Sequence, residues 1–367
     1  MSRDLQGTPV ADTARPNTRP ATDPGGPGHP PAATSVTLAA KGRGSSPQGR
    51  ARARDLGSRY GLIVVWLAIS AIYAALIPNT FLSRGTLQTI FGSQSTLVFL
   101  CMAAVAVFVV GEFDLSVASI MGLSATVVGV LAVNDGYSET VSVLIAVGVG
   151  VLCGATNGFI IVRLGIDPIV TTLGMSVLLL GVAQAISHSV TTTGLSNNLA
   201  RLASYNVAGL GLPISFYYGI IVAVAFAVVL GYTPLGRHMR FVGANREVAR
   251  LSGIRVQRIR FGAYVFSGLS SGVGGVLLAA AVGGFDSTTS GSYLLPALAA
   301  TFLGTAVVQP GKFNPIGTLI TIYFLITGIV GLQLLGYSGW VSNVFYGAAL
   351  VVAITVSTIA RNRFTRR

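Results

Sequence analysis

The chain alternates long apolar runs with short polar breaks, not the two- or three-to-four-residue periods of a half-buried soluble core. A helix needs about 20 apolar residues to cross roughly 30 Å of hydrocarbon. Runs near that length recur at 60–77, 87–110, 115–133, 140–162, 168–187, 214–231, 259–282, 293–309, 315–335 and 340–359. The pattern predicts an all-α integral membrane protein of about ten transmembrane helices, occupying 59–360. The second and third runs, parted by GEFDLS, can also be read as one broken element.

Residues 1–58, which include TARPNTRPATDPGGPGHPPAATS, show no apolar period and read as a disordered cytoplasmic tail; 361–367 read as a basic cytoplasmic C-terminus. The first apolar run begins at Gly61, too deep for a secretory signal, so the first span reads as an uncleaved anchor.

Composition agrees: 52% of residues are hydrophobic and 10% charged, against about one quarter charged in soluble domains. The net charge of +13 would suggest nucleic acid if arginines shared a soluble face with stacking aromatics, but they lie between apolar runs, so no nucleic-acid partner is expected. Placing the tail in the cytoplasm puts 22 of the 24 Lys and Arg inside, with only Arg84 and Arg201 outside. Both termini are then cytoplasmic, and 188–213 is the longest external loop, suited to an extracytoplasmic partner.

Two corners look alike: GEFDLSVASIMGLSATVVG (111–129) and GFDSTTSGSYLLPALAATFLG (284–304). Each follows a span, and the two are five crossings apart, as expected of an inverted repeat relating spans 2–5 to 7–10; chance likeness among glycine-rich helices is the alternative. Gly150, Gly154 and Gly158 form one ridge of small residues and Gly268 with Gly272 another, a spacing that lets helix backbones approach closely.

Catalytic patterns fail. Gly268-Leu269-Ser270-Ser271-Gly272 matches a nucleophile elbow in letters, but it lies within a span and lacks a histidine partner. Gly311-Lys312 has Ala306 and Phe313 where a phosphate loop needs Gly and Ser or Thr. Cys101 and Cys153 sit in apolar runs as small core residues, and the scattered histidines offer no metal site. No cofactor is expected on this chain, and energy must come from an ion gradient or another subunit.

Of the two corner acids, Asp114 is placed to cap the amides of Ser116 or Val117, whereas Glu112 reads as a solvated turn acid in preference to a transport group. In the loop 233–262, NREVARLS reads as a short helix with Asn245 as N-cap, Glu247 at its positive end and Gly253 as its left-handed stop. Ala249 is small enough to admit another protein surface. The alternative is an ordinary basic loop.

The run TPLGRHMRFVGANREVARLSGI resembles the corresponding loop of permease subunits in bacterial ABC importers of the ribose, xylose and arabinose type. GEFDLSVASIMG and NGFIIVRLGIDPIVTTLGM resemble two further segments of that family, in the same order. The resemblance implies a bacterial inner-membrane permease that acts with a dimer of ATP-binding subunits carrying ATP and Mg, an external solute-binding protein and a second permease copy. It assigns the coupling loop to Gly243, Asn245, Glu247, Ala249, Arg250 and Gly253. The chain departs from the family at Tyr293-Leu294-Leu295-Pro296-Ala297 and at GTAVVQPGKFNPIG (304–317), which weakens inference of the usual sugar. Asn157, Thr171, Thr172, Gln184, Gln333 and Asn343, with Trp340 and Tyr346 as stacking surfaces, are candidate pathway groups; helix–helix hydrogen bonding or interfacial anchoring is their alternative role. A gradient-driven carrier is the rival reading and would need a mid-membrane acid.

Overall fold

The computed structural model describes residues 47–207 and 211–365, with side-chain surroundings for 59–201, 203–207 and 211–355. Most of the expected tail and the side chains of the basic C-terminus lie outside the described residues. α1 (Pro47–Leu76) begins within the stretch read as tail. Short helices α2 (Pro78–Phe81) and α3 (Arg84–Leu87) lead into α4 (Ser95–Val109), then α5 (Val117–Gly129), α6 (Glu139–Gly158) and α7 (Pro168–Ile186). A strand, β1 (Thr192–Thr193), and α8 (Asn197–Ser204) precede α9 (Ile214–Tyr232). The arginine-rich loop folds as α10 (Pro234–Ala244) and α11 (Arg246–Leu251) before α12 (Val256–Val282). β2 (Gly284–Phe285), α13 (Leu294–Leu303), α14 (Pro315–Leu334) and α15 (Trp340–Thr365) complete the order.

Among the described residues eight helical stretches are long and apolar enough to cross a membrane, and the apolar part of α15 is shorter. The eighth predicted span departs most from expectation. It is a ten-residue helix, α13, flanked by 3-10 turns at Thr289–Tyr293 and Gly304–Ala306. The steeper 3-10 rise lets these pieces together reach about 30 Å. They do connect the two ends: Asp286 accepts from Thr191 beside β1, while Val308 donates its amide to Arg59 at the foot of the α1 span.

α4 is apolar all round and buried along its whole length, so it forms the centre of the bundle, with α5, α12 and α13 packed on it. Cys101 and Cys153 are buried free thiols, as expected of small core residues. The two glycine ridges face each other: a Cβ at Gly150 would lie 2.7 Å from the Gly268 carbonyl oxygen and 2.8 Å from the Gly272 Cα. Gly154→Leu is expected to drive α6 from α12 at a cost of about 1–3 kcal/mol or more. Gly148→Leu, where nothing lies within 4 Å of a Cβ, serves as control. Thermal unfolding of the two variants in detergent separates them; equal midpoints would remove the ridge contact as a source of stability.

The two sequence corners share one turn. Gly111 (φ +75°) opens the first and Gly283 (φ +73°) immediately precedes the second, both in the left-handed region that favours glycine. Three residues after each glycine an aspartate folds back on the residue two further on. Asp114 Oδ1 accepts from the Ser116 amide at 3.0 Å and hydroxyl at 2.6 Å; Asp286 Oδ1 accepts from the Thr288 amide at 2.7 Å and hydroxyl at 2.5 Å. The first corner lies at the end bearing α10 and α11, the second beside β1 at the other end, in the opposite sense an inverted repeat requires. β1 and β2 pair antiparallel, Thr192 with Phe285 and Thr193 with Gly284, which ties the predicted external loop to the second corner.

Candidate functional site

α11 is built as the local sequence dictates. Asn245, in extended backbone, accepts the Val248 amide at 3.1 Å, and Gly253 (φ +79°) follows the last turn. Glu247 and Arg250 form an exposed 2.8 Å pair, worth little in stability by itself. α10 was not anticipated, although Thr233-Pro234 is its signal: the Thr233 hydroxyl caps the Gly236 amide, with proline at the first position.

Ala249 corrects the sequence reading. It is fully buried and packs in this chain's own core, so it presents no surface to another protein. The outward face of α11 is instead Val248 and Leu251, with Leu251 82% exposed. Neither apolar side chain was singled out from sequence. A leucine at the tip of a capped helix, flanked by a charged pair, has the composition of a docking surface.

Glu112 is the second correction. It is not a solvated turn acid: it is 1% exposed, and its Oε1 binds Arg246 at 2.8 Å and also Arg260. A charge can be buried because two guanidinium groups, from the start of α11 and the first turns of α12, surround it. Arg246 also donates to the Gly111 carbonyl at 2.7 Å. Gly243 lies against the same corner so closely that a Cβ there would strike the Val109 carbonyl, which explains glycine at the junction of α10 and α11. The other oxygen of Glu112 has no hydrogen-bond partner among the described residues.

Asp114 has the capping bond to Ser116 expected of it, and more. Its second oxygen accepts the Ser267 hydroxyl of α12 at 2.8 Å; Asn157 of α6 donates to the Ser116 hydroxyl at 2.8 Å; and the Leu115 amide donates to Thr172 of α7 at 3.1 Å. The Tyr264 hydroxyl donates to the Phe113 carbonyl at 3.1 Å. The corner from Gly111 to Ser116 is therefore clamped by the α10–α11 loop, α6, α7 and α12 at once.

Burial pushes the Asp114 carboxyl up from the ordinary carboxylate range, against hydrogen bonds from Ser116 and Ser267 that lower it. A raised folded value means that its stability contribution is fullest below the ordinary carboxylate pKa and is lost as pH rises through the folded one. Asp114→Asn keeps an acceptor for Ser116 without the charge and is expected to assemble normally, with that pH dependence removed. Asp114→Ala strands the donors at about 1–3 kcal/mol each and is expected to assemble poorly. Thermal unfolding against pH for both variants checks this; an Ala variant that matches Asn would refute it.

The candidate pathway residues are not gathered at one place. Asn157 and Thr172 are buried and engaged in the corner cluster, the helix–helix role named as their alternative. Thr171 is half-buried and bonds its own helix at the Asp167 carbonyl. Gln184 is half-buried near the far end of α7, Gln333 and Asn343 are exposed at the ends of α14 and α15, and Tyr346 is half-buried. Trp340 is exposed and stands edge-on to Tyr337. In the departing segment 304–317, Asn314 caps α14 through the Gly317 amide at 2.6 Å and donates to the carbonyls of Gly304, Val307 and Lys312, closing the turn by side-chain bonds.

The described residues form a polytopic helical bundle in which the short exposed helix α11 is tied by a buried ion pair to a corner between two of its spans. The chain matches the family described as branched-chain amino acid transport system / permease component over residues 86–354, and it belongs to that family. It is 32% identical over 306 residues to the autoinducer 2 import system permease protein LsrC of Enterobacter sp. (strain 638), covering 82% of this chain and 88% of the relative. It is 33% identical over 280 residues to the LsrD permease protein of the corresponding system in Escherichia coli (strain K12), covering 73% of this chain and 84% of the relative. No solved structure matches the chain significantly. It is thus a multi-pass permease of the monosaccharide-type ABC importers, not the stand-alone carrier considered as the rival.

Proposed function

We propose that this permease forms the translocation pathway for a neutral, polyhydroxylated solute such as a sugar, working with two ATP-binding subunits, an extracytoplasmic solute-binding protein and a second copy of itself. ATP and Mg belong to the partner subunits. The observation that carries the reading is α11: capped at both ends, apolar and exposed at Val248 and Leu251, and joined at its base through Arg246 to Glu112. A push on that helix reaches α6, α7 and α12 through one corner.

The distribution of basic residues supports a cytoplasmic position for α10, α11 and both termini, with the 188–213 segment outside. There α8, with Asn197, Asn198 and Arg201 exposed, offers a polar face to the binding protein. A neutral solute is favoured because no span carries a central Lys or Arg to hold an anion, and the relatives named as autoinducer 2 import permeases support import as the direction.

Co-purification with the ATP-binding protein encoded beside this chain tests the reading. A complex formed by the native chain and lost in Glu247→Arg and Gly253→Trp is the expected result. Absence of any complex, together with solute uptake by the chain alone, would overturn it.

A further inference from the structure

The start of α12 carries cations without acids. Glu247 is held by Arg250 and Glu112 by Arg246 and Arg260, while Arg255 and Arg258 form no ion pair among the described residues. Arg258 stands where three cavities meet. The first, of about 320 Å³, is an apolar slot lined by Val222 and Phe226 of α9, Met239 of α10, and Ile259, Gly262 and Phe266 of α12. The second, of about 410 Å³, is a cup with His238, Ser252, Arg255 and Arg258 in its wall beside Ile254 and Ile259. The third, of about 370 Å³, lies on the other flank of α12, where Phe159, Arg163 and Phe261 surround the same arginine.

An apolar slot on a membrane helix beside a cup with two arginines in its wall, the two sharing Arg258 and Ile259, has the two-ended character of a charged lipid. Basic pockets between helices at a membrane edge hold anionic headgroups, and guanidinium groups match phosphate geometry. We propose that this is a binding site for an anionic phospholipid, with an acyl chain in the slot between α9 and α12 and its phosphate on Arg255 and Arg258. The site borders α10 and adjoins the turn that follows α11, so a bound lipid braces the coupling loop against α12. Only the assignment to the cytoplasmic leaflet rests on the orientation proposed above; the site itself rests on the cavities and their charge.

The test uses the full chain in nanodiscs of phosphatidylcholine, with and without phosphatidylglycerol. Lipid retained after transfer to detergent is counted by native mass spectrometry. The native chain is expected to retain phosphatidylglycerol over phosphatidylcholine, and Arg255→Ala or Arg258→Ala to weaken retention about fivefold each. Gly262→Leu fills the slot without changing charge, since nothing lies within 4 Å of a Cβ there, and is expected to weaken retention while leaving the unfolding temperature in lipid-free detergent unchanged. Equal retention of the two lipids, or retention untouched by all three variants, overturns the proposal. Displacement by inorganic phosphate would make it a soluble-anion site, and displacement by the ATP-binding subunit would assign the arginines to that protein; either also overturns it.

Discussion

Arg246→Ala is expected to leave the permease folded and docked to its ATP-binding subunit but to lower solute uptake per ATP hydrolysed several-fold. Arg246 is 43% exposed on its side chain, so its loss strands little buried charge, and Glu112 keeps Arg260. What is lost is the polar tie from α11 to the Gly111–Glu112 corner. Glu112→Ala is the harsher change. It leaves Arg260, only 15% exposed, without its acid, and breaking a buried pair this way costs about 3–5 kcal/mol. That variant is expected to lose stability as well as transport. Glu112→Gln, which keeps an acceptor, is expected to fold better than Ala and still transport poorly. Uptake and ATPase rates measured together in proteoliposomes decide the matter. If Arg246→Ala lowers both in proportion, the tie is only structural and the transmission role fails.

Leu251→Asp is expected to weaken association with the ATP-binding subunit by about 10- to 100-fold, the equivalent of losing one fully buried leucine. At 82% exposure the side chain contributes almost nothing to the permease alone, so the unfolding temperature of the isolated chain should not change. Ala249→Asp is the contrast: that position is buried within the chain, and the substitution is expected to damage folding before docking. Binding measured by surface-immobilised permease, beside thermal unfolding of each variant, separates the two. Normal binding by the Leu251 variant would move the docking surface elsewhere on the loop.

These contrasts mark how far the site could be read in advance. Asn245 and Gly253 were legible because a cap and a left-handed stop are decided by neighbours a few residues away. The facing of α11 was not, because a helix of six residues is too short for periodicity to say which side is covered. Ala249 therefore reads as outward when it packs inward, and the exposure of Leu251 has no local signal. The glycine ridges were legible as spacing, but their meeting partner was decided by the fold. The turn shared by Asp114 and Asp286 was visible in letters, and only the backbone shows that both glycines before it are left-handed.

The sequence by itself determined the membrane class, the positions of most crossings and the capped helix between α10 and α12. These follow from hydrophobicity and local hydrogen bonding, which act over a turn or a span. Only the tertiary structure decided that Glu112 is buried, that its partners are Arg246 and Arg260, and that α6, α7 and α12 converge on one corner. Arg260 lies 148 residues from Glu112, and no local pattern specifies a partner at that distance; a buried charge acquires its partner only when the spans pack.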